Sequence, residues 1–261
     1  MEQNDNNMDN ITLFVKLGII ILSIFVIIGL GITFLPDAIS VSTSGNRRDL
    51  PIYSVDTEEN QVALTFDTAW GNEYIQTILD ILAKYDIKAT FFMTGEWIEK
   101  YPKDVKNIYE QGHDLGNHTE NHKHMSLLSI EECAKEIMQA HKRVKELTGF
   151  DMSLFRAPFG DYNNAVIGAA RDCGYYSIQW DIDSLDWKDY GAENIVNKTV
   201  YHKKLNKGSI LLFHNGAKYT PQALEKVIVG LQDKGYEIVP VSQLIHKGEH
   251  TIDQKGRQYK M

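Results

Sequence analysis

Between residues 60 and 246 the chain switches repeatedly between a strand-like and a helix-like hydrophobic period, and this alternation restricts its possible folds most. Gln61 to Asp67 (QVALTFD) reads as a strand, and Glu73 to Tyr85 as a helix with Ile75, Ile78, Leu79 and Leu82 on one face. A β-rich run from Ala89 to Thr94 follows, then a helix from Trp97 to Gln111 stopped by Gly112, then a short strand from His113 to His118. Ser129 to Thr148 is a long helix, opened by the Ser129/Glu132 capping box and closed by Gly149. Leu154 to Arg156, Tyr175 to Asp181, Ser209 to Phe213 and Tyr236 to Val241 read as strands; Asn163 to Cys173, Ala192 to Lys203 and Pro221 to Lys234 read as helices. Strands separated by helices in this way are parallel and joined by crossovers. A closed barrel and an open doubly wound sheet both satisfy the pattern. No Gly-rich phosphate turn follows the first strand, which weakens the nucleotide-binding sheet. Asp67, His118, Arg156, Asp183 and His214 each fall at or just beyond the C-terminal end of a different strand. A barrel gathers such ends around one mouth. The expectation is an α/β protein whose strands, about seven and parallel, close into a (β/α) barrel.

The segments outside this region have different chemistry. Residues 1–16 form a polar leader, expected on the cytoplasmic side. Residues 17–35 (LGIIILSIFVIIGLGITFL) carry no charge, and as a helix they would reach about 28 Å, close to a hydrocarbon core of roughly 30 Å. They are expected to form a single transmembrane signal anchor, with the remaining chain extracytoplasmic at the cell membrane. Residues 36–58 read as a linker, 59–247 as the domain, and the polar stretch 248–261 as a flexible tail. A formal net charge of −8 argues against a nucleic-acid partner. The two cysteines, Cys133 and Cys173, make no zinc-ribbon or disulfide framework, and both fall in apolar helical patterns as small core residues. Nothing in the sequence gives the oligomeric state.

Several short motifs carry chemistry. His118 and His122 stand four residues apart in NHTENH, so one helical turn would project both rings from one face as a grip on a divalent metal. Asp67 closes an apolar strand. Arg156, between Phe155 and Pro158, is expected to be partly buried and to need a carboxylate partner. Asp183 and Asp186 precede Trp187, and His214 ends the apolar run Leu211 to Phe213. Each motif alone has a bland reading as a turn, a solvated loop or a core histidine. Their joint placement at five strand ends makes the bland readings inadequate.

The ordered set Thr65-Phe66-Asp67, His118-Thr119-x-x-His122, Arg156-x-Pro158-x-Gly160, Asp183-x-x-Asp186-Trp187 and Leu211-x-x-His214 resembles the polysaccharide deacetylase family with the NodB homology domain. The Phe66-Asp67-Thr68-Ala69-Trp70-Gly71 variant and the apolar segment look most like bacterial sporulation or cell-wall members. The resemblance implies metal-assisted amide hydrolysis. His118 and His122 would hold a divalent metal, commonly zinc, with cobalt or manganese as alternatives. Asp67 would be the general base, held by Arg156. His214 would protonate the leaving amine, fixed by Asp186. The backbone N–H of Phe159 would bind the oxyanion, with Trp187 and Leu212 walling the acetyl pocket and Asp183 beside them.

The sequence departs from the family at one point. Most members carry a second Asp after the base as third metal ligand, and here that position is Thr68. A neutral hydroxyl is a poor ligand; His124 and Glu120 are the sequence neighbours with the chemistry to stand in. The resemblance thus implies removal of N-acetyl groups from amino sugars of a cell-wall glycan, foremost peptidoglycan. The alternatives are chitin-like or O-acetylated xylan substrates, a catalytically weak glycan-binding protein, and an inert barrel on a membrane anchor.

Overall fold

The computed structural model describes residues 48–261; the expected transmembrane segment and most of the expected linker lie outside the described residues. Among the described residues no helix is long and apolar enough to cross a membrane.

Strand β1 (Ser54–Val55) leads into β2 (Gln61–Thr68), the centre of the sheet. Then come α1 (Ile75–Lys84), β3 (Thr90–Met93), α2 (Gly95–Lys100), α3 (Pro102–Glu110) and β4 (Asp114–Asn117). The long helix α4 (Ile130–Thr148) is followed by β5 (Leu154–Phe155), α5 (Asn164–Asp172), β6 (Tyr176–Ser177) and β7 (Ile182–Asp183). Helix α6 (Ala192–Thr199), β8 (Ile210–His214), α7 (Thr220–Asp233), β9 (Glu237–Ile238) and the short α8 (Val241–Leu244) complete the alternation. The strand order is β6-β5-β4-β3-β2-β8-β7, every pairing parallel, with β9 joining the start of β2.

The connection between the two edge strands shows that this sheet is curled. Only residues 178–181 join β6 to β7. Five residue steps span at most about 18 Å, whereas seven flat strands would hold their outer members about 29 Å apart. The edges must therefore approach each other. Ile52 lines the seam, donating to Ser177 O at 2.8 Å and accepting from Gln179 N at 2.7 Å. The result is the barrel expected from the five strand ends, in the distorted (β/α) form that the family resemblance implies.

The strand pleat divides the side chains into two cores. Leu64, Phe66, Phe91, Met93, Phe155, Leu211 and Phe213 point outward and pack under the helices. Ala63, Phe92, Leu154, Ile178 and Ile210 fill the interior, and Ile52, Val55, Val239, Val241, Leu244 and Ile245 close its floor. Gly116 belongs to the inner set, where a Cβ would lie 2.5 Å from the Phe92 ring, so only glycine fits there. One or two residues further along the same strands, the inner set turns polar.

Several expectations need correction. The strand expected over 175–181 is two short pieces, β6 and β7, divided by the seam. Strand β9 touches only the beginning of β2, so the seven-strand path contains β7 in its place. The helix expected over 97–111 breaks at Tyr101, because Pro102 offers no N–H and disfavours helical backbone in the residue before it. The expected linker ends early, since Ser54–Val55 is already paired. The expected flexible tail instead forms β10 (His250–Ile252) and β11 (Arg257–Lys260), which with β1 make a second sheet of order β1-β11-β10. Its polarity is misleading because the polar groups are satisfied internally. Gln258 is fully buried, accepting from His246 N at 2.9 Å and donating to His246 O at 2.8 Å.

Candidate active site

Strand β2 carries Ala63, Thr65 and Asp67 on its inner face, from apolar floor to acidic rim. Strand β8 repeats this with Ile210, Leu212 and His214, and Asp67 pairs in register with His214. Leu154 precedes Arg156 in the same way beyond β5, and Gly116 precedes His118 beyond β4. The pleat that fills the barrel thus delivers four polar side chains to its mouth, where a parallel sheet ends its strands.

Arg156 is fully buried. Its Nη1 donates to Asp67 Oδ1 at 2.7 Å and to Thr65 Oγ1 at 2.9 Å, and its Nη2 donates to Gln179 O at 3.1 Å. The guanidinium lies 4.1 Å from the centre of the Phe92 ring, a cation–π contact that suits a desolvated Arg. Burial alone would raise the Asp67 pKa, but the charges of Arg156, His118 and His214 prevail and hold it below the usual carboxylate range. Asp67 is therefore ionised at neutral pH. Its second oxygen, Oδ2, stands 3.6 Å from His118 Nε2.

His118 points its Nδ1 at Arg156 O, 2.8 Å away. A carbonyl only accepts, so Nδ1 carries the proton and Nε2 presents its lone pair to the pocket. The expected helical turn between the two histidines is absent. Thr119 and His122 both have left-handed backbone, with φ of 70° and 51°, and the segment is a loop. The loop still brings the rings together, with centroids 4.9 Å apart. Burial lowers the pKa of both, that of His122 to about 4 with the charge of His118 adding to the effect. Neutral imidazoles are the form that binds a metal, so this pair fits a divalent ion. Among the described residues no third His, Cys, Asp or Glu completes a ligand cluster. Thr68 ends β2 with its hydroxyl directed to Phe66 O at 3.3 Å. Glu120 is engaged by Arg143 at 2.6 Å, and His124 faces Asp161 at 3.4 Å, so neither is a ready substitute.

The other half of the site is a His–Asp pair. His214 Nδ1 lies 2.7 Å from Asp186 Oδ1, while Asp186 Oδ2 accepts from His214 N at 2.7 Å and from Thr220 Oγ1 at 2.6 Å. Burial works against charge on His214, but the hydrogen bond and charge of Asp186 raise its pKa above the ordinary 6.5. Asp183 Oδ1 accepts from Leu185 N at 2.8 Å and shapes the turn that leads to Asp186; burial raises its pKa. Leu212 is buried on the inner face beneath His214, and Trp187 is exposed beside Asp186. Phe159 has φ of 61°, and its exposed ring packs on His122 with centroids 4.5 Å apart. Trp70, quoted only within a motif at the sequence level, packs on the other part of His122 at 4.7 Å. Thr220 and the Gln179 carbonyl also belong to the site and carry no motif in the sequence, Thr220 merely preceding the helix expected from Pro221.

A profile described as polysaccharide deacetylase matches residues 54–178. A peptidoglycan-N-acetylglucosamine deacetylase of Bacillus cereus is 36% identical over 198 residues, covering 74% of this chain and 92% of that protein. The chain belongs to the polysaccharide deacetylase family. A further relative of this deacetylase-family chain, the protein YlxY of Bacillus subtilis, is 32% identical and is matched over only 60% of its length, covering 75% of this chain. Among solved structures, a Bacillus anthracis protein described as a family 4 carbohydrate esterase pseudoenzyme superposes with a TM-score of 0.72 at 31% identity, covering 76% of this deacetylase-family chain and 69% of that one. The family therefore includes proteins that have lost activity as well as working enzymes.

Proposed function

We propose that the protein is a metal-dependent hydrolase that removes N-acetyl groups from amino sugars of peptidoglycan, with N-acetylglucosamine as the favoured sugar. The observation that carries this reading is the pairing of an ionised carboxylate, Asp67, with a raised-pKa imidazole, His214, on adjacent strands of one mouth. Two groups whose surroundings push their pKa values apart are suited to opposite roles in one proton-transfer cycle. The similarity to the Bacillus cereus deacetylase supports the choice of substrate.

Asp67 takes a proton from the water that attacks the acetyl carbonyl, while Arg156 fixes the orientation of its carboxylate. His118 and His122 would hold a divalent ion, zinc foremost, whose chemistry is to acidify water and polarise the carbonyl. The backbone N–H of Phe159, a residue in left-handed backbone, would serve as the oxyanion donor, a role typically worth about 3 kcal/mol. His214 passes its proton to the sugar nitrogen as the C–N bond breaks, releasing acetate and a free amine. Asp186 stabilises the imidazolium before that transfer. Exposed Trp70 and Trp187 offer rings to sugar faces, and Leu212 borders the acetyl group. The charge-free segment 17–35 would hold the domain outside the cell membrane, against the wall.

A second reading, a glycan-binding protein without turnover, is favoured by Thr68 and by the related pseudoenzyme. Acetate release from N-acetylated peptidoglycan, with zinc, cobalt or manganese added, separates the two. Release that disappears in Asp67→Asn supports the enzyme. Retained glycan binding with no acetate under any metal supports the second reading. Parallel assays on muramic acid-acetylated glycan, chitin oligomers and acetylated xylan assign the substrate.

A further inference from the structure

Helix α4 grips the histidine loop at four residues, Asn117, Glu120, Asn121 and Lys123. Glu136, buried and without a part in the chemistry above, accepts from Asn121 N at 2.9 Å with one oxygen and from Asn121 Nδ2 at 2.8 Å with the other. Lys123 adds a contact of 2.7 Å to the same carboxylate. One residue along the helix, Ile137 O accepts from Asn117 Nδ2 at 2.8 Å. Arg143, two turns after Glu136 on the same face, donates from Nε to Glu120 Oε1 at 2.8 Å. His141 binds the hydroxyl of Tyr175 at 2.5 Å, and that hydroxyl accepts from Asn117 Nδ2 at 3.1 Å.

Within the loop the same logic continues. Asn117 Oδ1 accepts from Thr119 N at 2.9 Å, and Thr119 Oγ1 accepts from His122 N at 3.1 Å. Thr119 and His122 are non-glycine residues in left-handed backbone, which relaxes unless its surroundings over-determine it. The bonds from α4 supply that constraint at Asn117, Glu120, Asn121 and Lys123. The two imidazoles are left to Arg156 O, Trp70 and Phe159.

We propose that α4 is a clamp that sets the mutual angle of His118 and His122, and that Glu136 is its principal positioning residue. Glu136 holds Asn121, the residue immediately before His122, by both its backbone N–H and its side-chain amide. Removing it frees the His122 backbone to leave φ of 51°, and the ring departs from its place beside His118. The proposal rests on the reading of these histidines as a metal pair, and its test has an arm that does not depend on that reading.

The full chain is titrated with cobalt, following the visible band of the bound ion, for wild type, Glu136→Gln, Glu136→Ala and the core control Val227→Ala. Val227 is fully buried in α7 and has no part in the clamp or the site. The expected result is at least fivefold weaker cobalt binding with a changed band in Glu136→Gln, and a larger loss in Glu136→Ala. Val227→Ala, with a comparable drop in melting temperature, should keep the wild-type affinity and band. In the metal-free proteins, NMR of the His122 ring should show one shifted signal in wild type and Val227→Ala, and a broadened or displaced signal in both Glu136 variants. Should Glu136→Ala fail to fold, Glu136→Gln carries the comparison. Wild type that binds no cobalt removes the metal reading and leaves the NMR arm to judge the clamp. Unchanged His122 signals in both Glu136 variants, or equal effects in Val227→Ala, overturn the clamp.

Discussion

Arg156 donates from Nη1 to Asp67 Oδ1 at 2.7 Å, so the ionised base of the site is tethered by one oxygen and free at the other. The free oxygen is the one 3.6 Å from His118 Nε2. A tether of this kind orients the base without occupying the atom that must accept a proton.

Asp67→Asn should reduce acetate release by about 10²- to 10⁴-fold, the usual worth of a positioned base. It should also lower stability, because Arg156 keeps its buried charge and loses its partner, a change typically costing about 3–5 kcal/mol. Initial rates and urea melts of the same preparation measure both. A variant that retains wild-type turnover rules Asp67 out as the base.

The pH profile should report His214. Its pKa stands above 6.5 in the folded protein, and the protonated ring is the proton donor, so turnover should fall as pH rises through that value. In Asp186→Asn the burial effect goes unopposed by the Asp186 charge, and the alkaline limb should move toward acid. An unmoved limb would separate that limb from the His214–Asp186 pair.

Thr68→Asp should tighten cobalt binding by about tenfold, or ~1.4 kcal/mol, by adding a carboxylate beside two neutral imidazoles. Calorimetric titration of variant and wild type gives the ratio directly. Equal or poorer affinity would show that residue 68 is not at the ion.

His113 offers a test of stability against pH away from the site. Burial, with the charge of Lys88, lowers its pKa from 6.5 to about 4, and its Nδ1 accepts from Ala89 N at 3.1 Å. Below pH 6.5 the unfolded chain takes up a proton that the folded protein refuses. The contribution of this neutral ring is therefore full above 6.5 and declines toward pH 4. Between pH 7 and 5 it should cost about 2 kcal/mol. His113→Asn keeps an acceptor and removes the titration, so the difference between denaturant melts at pH 7 and 5 should shrink by that amount.

Ending the chain at residue 247 removes β10 and β11 and uncovers Ile52 and Val55 in the floor. Each such side chain is worth about 1.5–3 kcal/mol of burial, so a loss of about 3–6 kcal/mol is expected in urea melts. An unchanged midpoint would mean that the second sheet does not support the barrel.

The alternation, the parallel sheet, the five strand ends and the residues on them are all legible in local sequence pattern. These features are local: a hydrophobic period and a residue's place along its own strand do not depend on partners far away. The inner-face series Thr65 to Asp67 and Leu212 to His214 follows from a period of two. Other features were decided only by the tertiary structure. Spacing suggested a helical turn between His118 and His122, whereas helix α4 and Arg156 hold a left-handed loop there. The polar residues after 247 suggested a loose end, whereas pairing with β1 and the His246 backbone gives them hydrogen bonds. Strands β6 and β7 were read as one because the seam filled by Ile52 lies about 125 residues away in the chain. In each case the deciding partner is distant in sequence, and local pattern carries no information about which distant group will satisfy a given hydrogen bond.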